Sequence, residues 1–245
     1  ARAGARRRDA SGGTPGESRH PAAERAMNQF FDVHYAVSIL PALLHASLYT
    51  VLITLVGFAI ALVLGLVLAV LRRSHIVPLA KVVAFFIEFV RSTPLLIQVY
   101  VLFYVLPLYG LTMSALTAGT IGIAVHYACY TSEVYRAGLN GVARGQWEAS
   151  CALSLSPWRT YRSVVLPQAF RAVIPALGNY LVAMFKDTPV LSAITVVELM
   201  QQAKNIGSNT FRYLEPITLA GIFFLVMSVT FAYFVRRLEF RLRLP

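Results

Sequence analysis

The sequence predicts an all-α, polytopic membrane protein of about five transmembrane helices, on three observations. Of its 245 residues, 57 % are hydrophobic and only 13 % are charged, where a soluble domain carries roughly 25 %. Apolar segments recur along the chain, and residues 51–71 run without a charge, long enough at about 1.5 Å per residue to cross a hydrocarbon core of about 30 Å. Finally, the basic residues gather in polar stretches between those segments, the pattern of loops on one face of a bilayer.

The same distribution excludes a nucleic-acid partner despite the net charge of +11, because no face combines basic and aromatic side chains. Cys129 and Cys151 lack metal-ligand spacing and read as small apolar residues. His126 has no second ligand four residues away, so no metal site is expected. No GxSxG or HExxH motif and no GxxxxGK[ST] phosphate loop occurs, so neither hydrolytic nor ATP chemistry is expected in this chain.

Taken in order, residues 1–26 are rich in Arg, Gly, Ala and Pro without apolar periodicity, and read as a disordered basic leader. They lack an apolar core and so are no signal peptide. Composition changes sharply after Met27, and the expectation is that Met27 is the native start, with residues 27–245 forming the transmembrane domain. The first span covers about 38–71, its early half more polar. The second covers about 82–106 and contains Ser92-Thr93-Pro94, a break. The third covers about 115–136. Residues 144–167 form a polar, basic insert. Trp147, Ala149, Ala152, Leu153 and Leu155 recur there at helical spacing, which predicts a short amphipathic helix ended by Ser156-Pro157. A second helix starts there, and Leu166-Pro167 leads back to apolar sequence. The fourth span runs from about 169 to 197, interrupted near its middle at Lys186-Asp187-Thr188-Pro189. Residues 198–215 read as a polar connection, the fifth span as about 216–235. Of the Lys and Arg in the connections after Met27, twelve, counting Arg243, fall on the face of the insert. Only Lys204 and Arg212 fall on the other. That imbalance predicts a cytoplasmic insert and C-terminus, with the N-terminus outside.

Charges inside apolar segments are the candidates for function, since a charge at mid-bilayer costs about 2.5–3.5 kcal/mol. Glu88 with Arg91, and Glu133 with Arg136, are three apart and suited to pairing on one helix face, as structural locks or as lining of a path. Lys186 and Asp187 sit where Pro189 removes a backbone donor, and a broken helix frees backbone groups to meet a solute. Two readings stand side by side. Lys186 faces the carboxylate and Asp187 the cationic end of a zwitterion, or the two pair and stabilise the break. Gln98, Tyr104, His126, Tyr127 and Asn179 read first as interhelical hydrogen-bonding groups. The pathway set is therefore Arg91, Thr93, Gln98, Glu133, Lys186, Asp187 and Thr188.

The insert carries a more specific signal. Glu148-Ala149-Ser150, three residues, Ser154, nine residues and Val164-Val165-Leu166-Pro167 resemble the EAA loop of bacterial ABC importer permeases. The family pattern is Glu-Ala-Ala, three residues, Gly, nine residues, Ile-x-Leu-Pro. Ser150 and Ser154 depart from it, and a Ser in place of that Gly is strained if its φ is positive. Arg91-Ser92-Thr93-Pro94-Leu95-Leu96-x-Gln98, Tyr127 with Ser132-Glu133-Val134-x-Arg136, and Lys186-Asp187-Thr188 resemble the polar amino acid branch. The run from Thr188 to Pro216 is similar to permeases of ectoine and hydroxyectoine importers.

The resemblance implies a type I importer permease fold in the bacterial cytoplasmic membrane. It implies a second permease subunit (a copy or a relative), two ATPase subunits that bind ATP and Mg, and an extracytoplasmic solute-binding protein. It also implies that Gly145, Glu148, Ala149, Ser150, Ser154, Leu166 and Pro167 form the ATPase-coupling segment. The rival readings are an ion-coupled secondary transporter, a membrane enzyme with its site at the Lys186-Asp187 break, and an assembly subunit lining no path.

Overall fold

The computed structural model describes residues 31–242. The leader, Met27 and Arg243 lie outside the described residues. Most of those residues are helical, with no strand among them.

Helix α1 (Val33–Arg72) is 40 residues long, about 60 Å, and so extends beyond any bilayer core. It starts where the Asp32 carboxylate accepts the Tyr35 amide at 3.0 Å. Its exposed face carries Leu48, Leu52, Val63 and Val70, long apolar side chains suited to lipid. Helix α2 (Val77–Ser92) follows a short basic turn and begins with Pro78 in its first turn. It ends at Thr93-Pro94, and α3 (Leu95–Tyr100) leaves in a new direction. The two legs meet at 105°, so the second apolar segment is sharply folded at the break read from Thr93-Pro94. A wide π turn (Val101–Val105) and a 3-10 turn (Leu106–Tyr109) carry α3 to Gly110, whose φ of 84° closes it.

Helix α4 (Ala115–Asn140), capped by Ser114, is the centre of the molecule. It is rich in Ala, Gly, Thr and Tyr, and most of residues 118–132 are buried. That composition is too polar for a lipid-facing span, and the fold explains it: α1 lies along one side and covers it from lipid. Gly65 permits the approach. A Cβ there would fall 2.8 Å from the Ala128 carbonyl oxygen and 3.2 Å from the Ser132 nitrogen, both backbone. Thr131 then donates to the Ala61 carbonyl at 3.0 Å, and Tyr135 to that of Leu62 at 3.3 Å, stitching the pair.

The insert forms α5 (Arg144–Ala152) and α6 (Pro157–Thr160). The sequence placed the end of α5 at Ser156-Pro157. The helix instead stops at Ala152, because Ser154 takes a left-handed φ of 52°. Ser156 does a different job: its hydroxyl caps α6 by accepting the Arg159 amide at 3.4 Å. Leu166-Pro167 leads into the fourth apolar segment, as expected. The chain passes from α6 through a π turn (Tyr161–Val165) into α7 (Leu166–Asp187) as one rod. Pro167 lacks the amide an α turn would need, and the wide turn accommodates it.

The fourth segment's helix breaks at Asp187, giving a 3-10 stretch (Thr188–Ile194) and a left-handed Thr195 at φ 62°. The expected polar connection after it is a helix, α8 (Leu199–Thr210), with Leu199, Ala203 and Gly207 buried. Glu198 caps it, accepting the Met200 and Gln201 amides at 2.9 and 2.8 Å. Helix α9 (Leu214–Leu242) closes the described chain.

By length and composition α1 and α9 can each cross a membrane, and the α2–α3 and α6–α8 pairs qualify as bent spans. Central α4, at 26 residues, is long enough to span a bilayer core but is packed inside the bundle. Charges sit at opposite ends of α1. At its start Arg212 pairs with Asp32 at 3.4 Å and with Glu215, and stacks over the Tyr35 ring at 4.5 Å. The Tyr35 amide, and after it Arg212, hold the Asp32 carboxyl below the usual carboxylate range. At its other end Arg72 pairs with Glu133.

Candidate functional site

Two regions gather the residues singled out in the sequence. One lies halfway along α4. The Tyr127 hydroxyl donates to Asp187 Oδ2 at 2.6 Å. Tyr127 is the thirteenth of the 26 residues of α4, so the break after α7 lies at the middle of the central span. The rings of Tyr127, Tyr130 and Tyr180 form a triangle with sides of 6.2, 5.6 and 6.3 Å. Arg91 lies over Tyr130, its guanidinium carbon 5.2 Å from the ring centroid. Its Nε is buried without a hydrogen-bond partner, and Glu88 is 3.8 Å away. The Asp187 carboxyl and the Arg91 guanidinium thus lie against different rings of the same tyrosine cluster.

Gln98 and Thr93 adjoin this cluster but are already committed. Gln98 Nε2 donates to the Val90 carbonyl at 2.7 Å and to Thr93 Oγ1 at 2.8 Å, and Gln98 Oε1 faces His126 Nδ1 at 3.1 Å. Together they close the end of α2 across the 105° bend. Thr188 is buried and donates to the Phe185 carbonyl at 2.8 Å. Thr93, Gln98 and Thr188 thus spend their polar groups within the fold, whereas Arg91 keeps its Nε without a partner among the described residues.

Lys186 does not join Asp187. Consecutive residues on a helix point about 100° apart, and only Asp187 turns toward α4. Lys186 is exposed in a groove of about 380 Å³ between α7 and α9, beside Phe224 and Ser228. The Lys–Asp pair that would stabilise the break does not form, and neither do the two residues face one solute from adjacent positions. Asn179 is exposed on the same helix, and Tyr104 packs against Tyr100 and Phe103; among the described residues neither makes the interhelical hydrogen bond its position suggested.

The second region lies at the Arg72 end. Glu133 accepts Arg136 Nη2 at 2.6 Å, as its spacing indicated, and also binds Arg72 of α1. Arg73 reaches Asn140 at 3.3 Å. Glu133 is therefore a lock between spans, placed just before the insert, and not a group in the tyrosine cluster. Sequence spacing found Arg136 and missed Arg72, which is 61 residues away.

Beyond this lock the insert stands out from the bundle. Arg144, Gly145, Glu148, Ala149 and Ser154 are exposed, with Arg144 and Glu148 paired at 3.3 Å on the outer side. Ser150 faces inward, its hydroxyl donating to the Gln146 carbonyl at 2.8 Å. Trp147 packs on Tyr161 at 5.3 Å, over a small core of Val142, Val165 and Ala169. The inward face is thus Trp147 and Ser150. Leu153 of the predicted apolar face is 72 % exposed, and Trp158 is 71 % exposed. Two large apolar side chains on a polar projection, with Leu166 and Pro167 exposed at the base, form a surface shaped for another protein.

The chain was compared with known proteins. The family model of the binding-protein-dependent transport system inner membrane component matches residues 61–244. A probable amino-acid ABC transporter permease of Sinorhizobium fredii is 44 % identical over 211 residues, 86 % of this chain and 91 % of that protein. The glutamine transport system permease of Escherichia coli is 35 % identical over 208 residues, 84 % of this chain and 94 % of that protein. The crystal structure of an amino acid ABC transporter with histidines contains a chain 33 % identical, with a TM-score of 0.83 over 86 % of this chain and 99 % of that one. An inward-facing methionine ABC transporter, 20 % identical, shares the fold at a TM-score of 0.68, covering 84 % of this chain and 99 % of that one.

Proposed function

The chain belongs to the family of binding-protein-dependent transport system inner membrane components, and from that premise we propose that it is the permease subunit of an ATP-driven importer for a polar amino acid or a related zwitterion. The chain is not itself an enzyme; in such transporters ATP hydrolysis belongs to separate subunits. Of two ATPase subunits that bind ATP and Mg, one docks on residues 144–167 from the cytoplasm. A second permease subunit completes the path, and a soluble protein delivers solute from outside. The N-terminus is outside and the C-terminus cytoplasmic.

The observation that carries the solute reading is the middle-depth cluster, where Asp187 and Arg91 flank the tyrosines. Asp187, with its phenol donor, takes the cationic end, and Arg91 takes the carboxylate. Ectoine and hydroxyectoine are the narrower assignment, supported by the sequence of the run 188–216. The relatives compared above are named for amino acids.

Labelled-solute uptake by the complete transporter, competed by polar amino acids, ectoine and hydroxyectoine, tests the solute. Competition by amino acids removes the ectoine assignment, and competition by neither group removes the zwitterion reading. Glu148→Lys reverses an exposed charge without touching the bundle. We expect membrane insertion at normal levels and loss of most solute-stimulated ATP hydrolysis. Unchanged stimulation would remove the insert from the docking role.

A further inference from the structure

Helix α9 ends in a face that mixes aromatic, aliphatic and guanidinium groups. Phe234, Arg237, Leu238 and Arg241 are spaced i, i+3, i+4 and i+7, which sets them on one side of the helix. They line a shallow groove of about 370 Å³, and all four are exposed. Arg237 and Arg241 make no hydrogen bond or ion pair among the described residues. Glu239 is two positions from each arginine, about 200° round the helix, and so lies on the other side. The depth of this face follows from the packing of α9 on α7. Helix α9 begins beside Asp32, whose amide donates to Glu215 at 3.1 Å, and runs toward the insert end. Phe185, two residues before Asp187, meets Phe224 and Phe231 with ring centroids 5.4 and 5.2 Å apart. Asp187 in turn is bonded to Tyr127 at the midpoint of α4, so the middle of the α9 pass falls between Phe224 and Phe231. From there Arg237 and Arg241 lie about 14 and 20 Å along the helix, one on each side of the edge of a hydrocarbon half-core of about 15 Å. That is the level of the lipid phosphates.

We propose that this face of α9 binds one anionic phospholipid of the leaflet on the insert side, its phosphate held between the Arg237 and Arg241 guanidiniums and its acyl chain laid over Phe234 and Leu238. A guanidinium presents paired N–H donors that match the oxygens of a phosphate. The pair also chooses among lipids. A glycerol headgroup leaves the phosphate charge for the arginines, whereas an ethanolamine or choline headgroup brings a cation of its own against them. Basic groups at the end of a span are placed for such a headgroup, and here the groove adds a fixed position for it. The inference rests on α9 crossing the membrane, and not on the solute or on ATPase docking.

The test uses the complete transporter, purified in detergent and equilibrated with a sub-saturating, equal mixture of phosphatidylglycerol and phosphatidylcholine. Native mass spectrometry then measures the lipid retained on this chain. Phosphatidylglycerol should be retained in preference. Arg237→Gln should lower its retention by about 5-fold, and Arg237→Gln with Arg241→Gln by about 30-fold. Arg236→Gln removes the same charge one position away, about 100° round the helix, and should retain as much as the wild type. Equal retention of the two lipids, an unaffected double variant, or an equal loss in Arg236→Gln and Arg237→Gln overturns the site. Inorganic phosphate should displace the lipid no better than chloride of the same ionic strength; stronger displacement would give the arginines to a free anion and overturn the lipid. Loss of the ATPase or of another permease chain from the double variant would give the face to a protein, with the same consequence. Lipid retention needs no transport, so its outcome is independent of the solute assignment.

Discussion

Asp187 accepts the Tyr127 phenol at 2.6 Å while remaining half-buried beside three tyrosine rings. A buried carboxyl needs a hydrogen-bond donor in reach, and the phenol is one such donor. The expected outcome of Tyr127→Phe is an uptake loss of about 10-fold, because a hydrogen bond to a charged group contributes roughly 1.5–3 kcal/mol. Asp187→Asn should lose more. Both variants should still assemble with the ATPase, which co-purification measures. Wild-type transport kinetics in both would remove the pair from the site. Ser154 shows what a single residue hides. Its place in the loop pattern suggested strain, and its φ of 52° confirms it. The consequence for α5, an end five residues before the expected proline, was not readable from neighbouring sequence.

At the scale of elements, the α1–α4 crossing holds the bundle together. Gly65 lies against backbone of α4, which cannot move aside as a side chain can. Gly65→Val should therefore push the helices apart at a cost of about 1–3 kcal/mol, seen as a lower thermal-unfolding temperature of the purified complex. Gly145→Ala, where nothing lies within 4 Å, should leave that temperature unchanged. Equal stability of the two variants would mean that the crossing is looser than its geometry indicates. Helix α8 is the element that sequence reading missed. Its polar composition suggested a connection, yet Glu198 caps it and Leu199 donates its amide to Thr50 of α1 at 3.1 Å. A buried cap and one long-range hydrogen bond give a short polar helix its place.

For the whole molecule, Lys204 and Arg212 lie toward the start of α1 and Arg72, Arg136 and the insert toward its end. The excess of Lys and Arg on the insert side predicts that this end is cytoplasmic. Cys151 is exposed on the insert and Cys129 is buried in α4, so the native chain carries its own reporter. A membrane-impermeant maleimide should label Cys151 in inside-out vesicles stripped of ATPase. Right-side-out vesicles should show no labelling, and reaction there would reverse the orientation. The apolar segments followed from composition alone, whereas their shapes did not: two of them are bent pairs, at 105° and 44°.

Sequence by itself determined the class of molecule, the five apolar segments, the breaks at Thr93-Pro94 and Asp187-Thr188, the i,i+3 ion pairs and the insert. These depend on hydropathy, proline geometry and helical spacing, which are local properties of the chain. Tertiary structure alone decided that Glu133 also holds Arg72, that Gln98 is used up closing α2, that Asp187 and Lys186 serve different faces, and that a polar segment becomes buried α8. Each of those outcomes depends on which groups meet across tens of residues. Such meetings are set by helix packing and by the demand that buried polar groups find partners.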